Sequence, residues 1–438
     1  MKKKVAIITC FFSLFSIAIA GYTDPLEENT KVINGNILYV GGFGPNNYTR
    51  IQDAIDDSFP YYENLLFKFI RNLENISSDL KKALLQIINT VINTSKICNE
   101  ACSGIDKEKY LANRKLYSHG DKNKESIKKI DIQKIRKVCA IILYTLKNEI
   151  PILEKNSMHY KLPTFKYPPF IAIGGRGNDS YYHDYYIIID FGGDDKYYNN
   201  AGSTVIYYNG KIVGGVSICI DLEGNDYYES GYFNSQGSGV FGIGILYDAK
   251  GNDVYISEDC SQGEGEMGIG ILIDKKGNDF YFAGPGSQGF GWNKGIGILI
   301  DMEGEDIYKT TPLGFSQGSS TEWGIGILMD LKGNDSYASY SLSQAAADYF
   351  GFSALIDFSG NDVYEAESFS QAYARFMSSS FLLDFEGDDI FVGGEQGNAI
   401  FGFALLVNLL GSDKYSGKGK DNAIWLNGFI GLEIDIGK

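Results

Sequence analysis

The stretch GIGILIDKKGNDFYFAGPGSQG, residues 268–289, decides the fold. It reads as an apolar strand ending at Asp274, a turn through Gly277 and Asn278, a second strand from Asp279, and a closing Ser-Gln-Gly. Versions of it recur down the second half of the chain on one template: apolar strand, D-x-x-G-[ND]-D-x-Y, variable stretch, S-Q-G. The first aspartates are Asp190, Asp221, Asp248, Asp274, Asp301, Asp330, Asp357 and Asp384, with Asn408 in the last place. Steps between them run 31, 27, 26, 27, 29, 27, 27 and 24 residues. Such a period predicts a mostly β protein built as a parallel β-solenoid of about nine repeats of ~27 residues, each burying its apolar face against its neighbours. A propeller blade needs about 40 residues. An array of antiparallel hairpins, one per box, is the alternative.

Both faces of the strand are apolar. Ile269, Ile271 and Ile273 lie on one face and should form core ladders with their counterparts in the next units. Gly270 and Leu272 lie on the other, and the recurring glycines predict a second layer close to the sheet. Tyr281, two residues past Asp279, should pack on the equivalent tyrosine of the next unit and border the acidic row with an aromatic one.

The box has a turn explanation and a metal explanation. Asp274 can accept a backbone N–H two residues on, and Gly277 is read as supplying positive φ. The second aspartates, Asp195, Asp226, Asp253, Asp279, Asp306, Asp335, Asp362 and Asp389, make a second row. At the ~4.8 Å spacing of neighbouring strands, adjacent carboxylates repel by roughly 0.9 kcal/mol in water and ~3.5 kcal/mol at an effective dielectric of 20. Backbone N–H bonds, splaying into water, or cations between the rows can relieve this. All sixteen aspartates are therefore candidate metal ligands, with calcium the candidate ion because it takes carboxylate and carbonyl oxygens. A further row, Gln236, Gln262, Gln288, Gln317, Gln344, Gln371 and Gln396, is read as a structural ladder of amides bonded to one another.

At FGGDDKYY and IGGRGNDSYY the sequence resembles the calcium-binding RTX repeats, which also set Gly two before an Asp and a large apolar residue two after. RTX nonapeptides run in tandem, whereas one box occurs here per ~27 residues. LYDAKGNDVY resembles the hairpin turns of tyrosine–aspartate shell repeats, which is the hairpin alternative. The upstream stretch NGNILYVGGFGPNNYTRIQDAID, with Thr49 as N-cap, resembles the entry segment of secreted right-handed β-helix surface proteins. That resemblance implies a capping helix and covers about twenty residues.

Residues 1–20 read as a signal peptide: Lys2 to Lys4, an apolar run from Val5 to Ile17, then Ala18-Ile19-Ala20. Residues 21–57 form the strand and capping segment, 58–160 an α-helical domain, and 170–438 the β-repeat domain. Helical spacing of Leu80, Leu84, Ile87 and Val91, and of Ile135, Val138 and Ile142, marks the helical part; Pro151 and KLPTFKYPPF mark its exit. No segment beyond the signal reads as a transmembrane anchor.

Residues 170–438 carry a net charge of −24 and residues 1–169 a net charge of +8. An acidic repeat domain disfavours nucleic acid and anionic lipid as partners and favours cations, basic surfaces or neutral glycans, so no nucleic-acid partner is expected. Cys98, Cys102 and Cys139 are disulfide candidates in an exported protein. No nucleophile–base pair, P-loop or dinucleotide fingerprint is present, and no catalytic residue is assigned. The unrepeated acids Asp259, Glu264 and Glu266 are where a glycan-active enzyme, a lyase or hydrolase, would have its site. The leading expectation is a secreted or cell-surface structural, adhesion or glycan- or protein-binding module, calcium-stabilised and more plausibly not an enzyme.

Overall fold

The computed structural model describes residues 76–113 and 128–438, apart from residues 162, 209–210, 313, 394, 418, 422, 429 and 438. The signal peptide and the capping segment lie outside the described residues. The repeats form a parallel β-solenoid. Each apolar strand pairs in register with its counterpart one coil on, so that Ile269 to Ile273 lie beside Ile296 to Ile300, and those beside Ile325 to Met329. Thirteen strands make this sheet. The strands that follow the boxes, such as Phe280–Ala283, build a second sheet of ten, also parallel. The hairpin alternative is thereby set aside for the boxes. Antiparallel pairing in the long sheet is confined to its ends, where Phe165–Tyr167 folds on Ile171–Ile173 and Ile424–Leu426 on Gly431–Ile436.

Both expected faces exist, and the structure shows which is the lumen. Gly270, Leu272 and Asp274 face inward. Leu246, Leu272, Leu299, Leu328, Leu355, Leu382 and Leu406 share a buried cluster with the tyrosines of the second sheet. The wall opposite is so near that a Cβ on Gly270 would run into the Glu264 carbonyl oxygen. In coils where this glycine is serine, the hydroxyl uses the same proximity: Ser353 donates to the Ala346 carbonyl at 2.8 Å. The tyrosine ladder is continuous. Tyr181, Tyr197, Tyr228, Tyr255, Tyr281, Tyr308, Tyr337, Tyr364, Phe391 and Tyr415 stack with centroids 4.5–4.9 Å apart and nearly parallel planes.

The isoleucine face is outside the coil, and a helical layer packs on it. Helix α1 (Ser78–Ala101) starts at Ser77, whose side chain accepts the Leu80 N–H, and α3 (Ile132–Ser157) starts at Asp131, which accepts the Lys134 N–H. A short α2 (Lys107–Asn113) lies between them in sequence. The buried stripes of α1 and α3, including Leu84, Ile87, Val91, Val138 and Ile142, join Ile218, Ile245, Ile271 and Ile298 in one core. Specific ties anchor it: Ser95 Oγ accepts the Val216 N–H at 3.0 Å, and Glu154 accepts from Tyr247 OH and pairs with Lys275, both at 2.7 Å. Pro151 does not end α3, contrary to the sequence reading. The helix runs on to Ser157 because Leu153 and Ser157 are buried beyond it while Pro151 faces solvent.

Candidate metal centre

The two aspartate rows run side by side within the coil wall. None of the sixteen residues exceeds 2% exposure. Splaying into water is therefore not how this protein handles their charge. Each first aspartate except Asp384 is held on both oxygens. One takes a backbone N–H two residues on, as Asp274 does from Lys276 at 3.0 Å and Asp330 from Lys332 at 2.9 Å, which is the expected turn bond. The other takes the hydroxyl of the tyrosine in the preceding coil: Tyr255 on Asp274 at 2.6 Å, Tyr281 on Asp301, Tyr308 on Asp330, Tyr337 on Asp357 and Tyr364 on Asp384, each at 2.7 Å. Tyr181, Tyr197 and Tyr228 do the same for Asp190, Asp221 and Asp248. Asp384 is the exception on its turn side, where Oδ1 has no partner.

The second row is linked through the backbone. Oδ1 of each second aspartate accepts the amide N–H of the second aspartate one coil earlier: Asp253 donates to Asp279, Asp279 to Asp306 and Asp306 to Asp335, each at 2.6 Å. The row continues through Asp362 and Asp389 to Asp413. Its other oxygen is left over. Oδ2 of Asp195, Asp226, Asp253, Asp279, Asp306, Asp335, Asp362, Asp389 and Asp413 is buried without a hydrogen-bond partner. In its ionised form, a buried carboxylate oxygen that no N–H or O–H donor reaches in every coil is a large standing cost, which a proton or a cation relieves.

Burial, then the charge of Asp274, pushes the Asp279 carboxyl up to about 9, while Asp274, helped by its hydroxyl and amide donors, rises only to about 6. Burial likewise raises Asp306 to about 9 and Asp362 to about 10. Among the described residues, one ammonium reaches the rows: Lys166, on Asp179 at the N-terminal end.

Carboxylate oxygens of the two rows converge. Oxygens of Asp253, Asp274 and Asp279 lie within 4.8 Å of one another, and so do those of Asp195, Asp221 and Asp226, of Asp226, Asp248 and Asp253, of Asp279, Asp301 and Asp306, and of Asp179, Asp190 and Asp195. Four more groups of metal-binding side chains satisfy the same limit among the described residues. Each named triad joins both aspartates of one coil to the second aspartate of the coil before. Ligands of one bound metal ion stand within such a distance of one another. The box glycine belongs to the same cradle. Gly277 does not adopt the positive φ expected of it; a Cβ there would collide with the Gly251 carbonyl oxygen and the Asp279 carboxylate, so glycine keeps those oxygens adjacent. These buried clusters could hold a metal ion.

Other sequence candidates meet different fates. The glutamines are buried and in register, yet their amides do not bond one another. Each Nε2 of Gln236, Gln262, Gln288, Gln317, Gln344 and Gln371 donates to two backbone carbonyls, as Gln344 does to Tyr337 at 2.9 Å and Glu365 at 3.0 Å. Left-handed backbone at these positions, φ +55° at Gln288, turns the side chain across the lumen toward the second sheet instead of along the axis. Gln396 differs: its Oε1 accepts the Gly419 N–H.

Cys98, Cys102 and Cys139 are not bridged. All three are free, buried thiols, and burial raises each, Cys102 to about 11. They fill the helical core, and Cys102 donates to the Phe241 carbonyl at 3.3 Å. Glu264 and Glu266 are fully buried: Glu264 accepts from Ser238 Oγ at 2.6 Å, and Glu266 from Tyr110 OH at 2.5 Å. Asp259 lines a surface cavity with Glu229, Glu258 and Phe282.

The tyrosine–aspartate bond was not anticipated, though the sequence carried its signal. Where the tyrosine becomes Phe391, the aspartate one coil on becomes Asn408, and where Tyr415 restores the hydroxyl, Asp435 restores the carboxylate, 2.7 Å away. No protein-family model, curated protein or solved structure matches the chain.

Proposed function

We propose that this chain is an exported β-solenoid module, structural or adhesive, whose rigidity depends on calcium held in the buried aspartate column. The observation that carries this reading is the unpartnered Oδ2 of the second aspartate in every coil from Asp195 to Asp413, set beside the carboxylates of its own and the preceding coil. When bound, calcium would supply the positive charge that the rows lack. The ligands would be the Asp triads, such as Asp253, Asp274 and Asp279. Their repetition along the axis supports a scaffold rather than one reaction centre, because catalysis needs a singular arrangement and these are alike from coil to coil. The acidic solenoid supports a cell-surface protein or neutral glycan as partner. The signal-like leader supports export.

Thermal unfolding of the mature chain in millimolar calcium and in chelator tests the metal part. The melting temperature should rise clearly with calcium and return on chelation. An unchanged melting temperature would remove calcium from the proposal.

A further inference from the structure

We propose that an exposed aromatic row along the C-terminal half of the solenoid is a docking surface for a second copy of this chain, laid antiparallel across a two-fold axis. This stands apart from the metal reading above.

One corner of the coil, just before the apolar strand, carries large apolar residues in successive coils. Phe241 and Met267 open the row and are buried, with Tyr110 of α2 edge-on to Phe241 at 5.1 Å and Cys102 donating to the Phe241 carbonyl. Further along, the same corner carries Trp323, Phe350, Phe376, Met377 and Phe401, with Phe352 beside them, and these six are between 40% and 71% exposed. The row therefore begins as the interface with the helical layer and continues past it into solvent. Backbone bonds tie it together: the Trp323 N–H donates to the Tyr349 carbonyl and the Phe350 N–H to the Phe376 carbonyl, both at 3.1 Å.

The fold does not require rings here. The corner is left-handed, with φ +65° at Trp323 and +63° at Phe350, a region that favours Gly or Asn. The coil between the buried and the exposed members has Asn293 and Lys294 at this corner, both left-handed. Exposed rings on such a backbone neither add to the core nor ease the turn, and an apolar surface of this kind marks a contact.

Pitch and area point to the occupant. Trp323 and Phe350 stack at 4.2 Å with planes 6° apart, and Tyr349 and Phe376 stack at 4.5 Å. The rings lie face to face along the axis and turn their edges outward, rather than offering the open faces on which a sugar ring stacks. A ridge of edges suits an apolar surface with the same repeat. A second solenoid has that repeat, ~4.8 Å, and a two-fold axis brings ridge to ridge as an isologous contact. At about 200 Å² for a large side chain, the six residues expose roughly 650 Å² per copy. Two copies would together bury ~1,300 Å², within the range of stable interfaces. Arg375, next to the row, is neutralised by Asp348 at 2.8 Å and adds no charge to the contact.

The test is sedimentation velocity on the full mature chain at about 100 µM, above the micromolar affinity that an interface of this size supports. Wild type should sediment as a dimer. The double variant Trp323→Asn, Phe350→Asn keeps residues suited to a left-handed backbone and should raise the dissociation constant about 100-fold or more, as expected for two lost hot-spot rings. Tyr144→Ser, which removes an exposed ring of α3, should leave the dimer unchanged. Circular dichroism checks folding, and Phe401→Asn, with the same expected direction, takes the place of a double variant that does not fold. A wild-type chain that is monomeric at this concentration overturns the proposal, and so does a dimer that the substitutions in the row leave intact. A monomer that binds a neutral glycan, and loses it in the same variant, would assign the row to that ligand instead.

Discussion

Removing one hydroxyl from the lumen measures how strongly adjacent coils are joined. In Tyr281→Phe the ring keeps its stacking on Tyr255 at 4.7 Å and Tyr308 at 4.8 Å, so the change is confined to the bond from Tyr281 OH to Asp301 Oδ2 at 2.7 Å. Asp301 would keep the Glu303 N–H on Oδ1, at 3.3 Å, and have a buried oxygen with no donor. Leaving a buried carboxyl oxygen without its donor costs about 1–3 kcal/mol, which sets the expected cost near 2 kcal/mol. Asp301→Asn alone exchanges one acceptor oxygen for an amide and should cost under about 1 kcal/mol.

The double variant reproduces the Phe391 and Asn408 combination that the chain already tolerates. It should therefore recover most of the loss, with a coupling energy of about 1.5–2 kcal/mol. Urea unfolding in chelator, followed by circular dichroism across the four proteins, gives the cycle. Additivity within about 0.5 kcal/mol, or a Tyr281→Phe protein as stable as wild type, would refute the view that these hydroxyls hold the row.

Acidity supplies a second check. Asp279, Asp306 and Asp362 are raised to about 9, 9 and 10, mainly by burial, against about 3.9 in the unfolded chain. The folded state thus keeps protons that the unfolded state has released, and stability present near pH 4 is lost as pH climbs toward those values. In chelator the urea midpoint should fall between pH 5 and pH 9, and a flat or rising midpoint contradicts the burial of these groups. Asp279→Asn keeps an acceptor for the Asp253 N–H and places an amide where the unpartnered oxygen stood. It should stabilise the chain in chelator by about 1–3 kcal/mol and reduce the stabilisation by calcium; destabilisation in both conditions counts against the charge argument. Gly270→Ala drives a methyl into the Glu264 carbonyl oxygen and should cost about 1–3 kcal/mol or more by the same unfolding assay, whereas a neutral result means the walls can part.

Much of the fold was legible because the period and the apolar strands reflect a geometry that repeats. The two rows of aspartate, the tyrosine ladder and the turn bond of Asp274 followed from alternation along a strand. Four features did not. Which face is the lumen was hidden because Ile271 and Leu272 are equally apolar, and the helical layer that buries the isoleucines comes from a distant part of the chain. The glutamines were placed correctly, but their bonding depends on a left-handed backbone that residue type does not announce, since Gln rarely adopts it. Gly277 was assigned to the right turn for the wrong reason, because crowding by the neighbouring coil is invisible in one repeat read alone. The paired change at Phe391 and Asn408 was in plain view, but its meaning needed the offset of one coil between partners.

That offset bears on how such an array changes length. Tyrosine and aspartate partners sit in adjacent coils and the bonds all run in one direction, so excising or duplicating a whole interior coil between like neighbours rejoins a hydroxyl to a carboxylate. The junction between Phe391 and Asn408 is different, because loss or gain of a coil there would set a phenyl ring against an aspartate or a tyrosine against an asparagine. For this bond, coils before that junction are interchangeable, whereas the two on either side of it form a single unit that recombination must move intact.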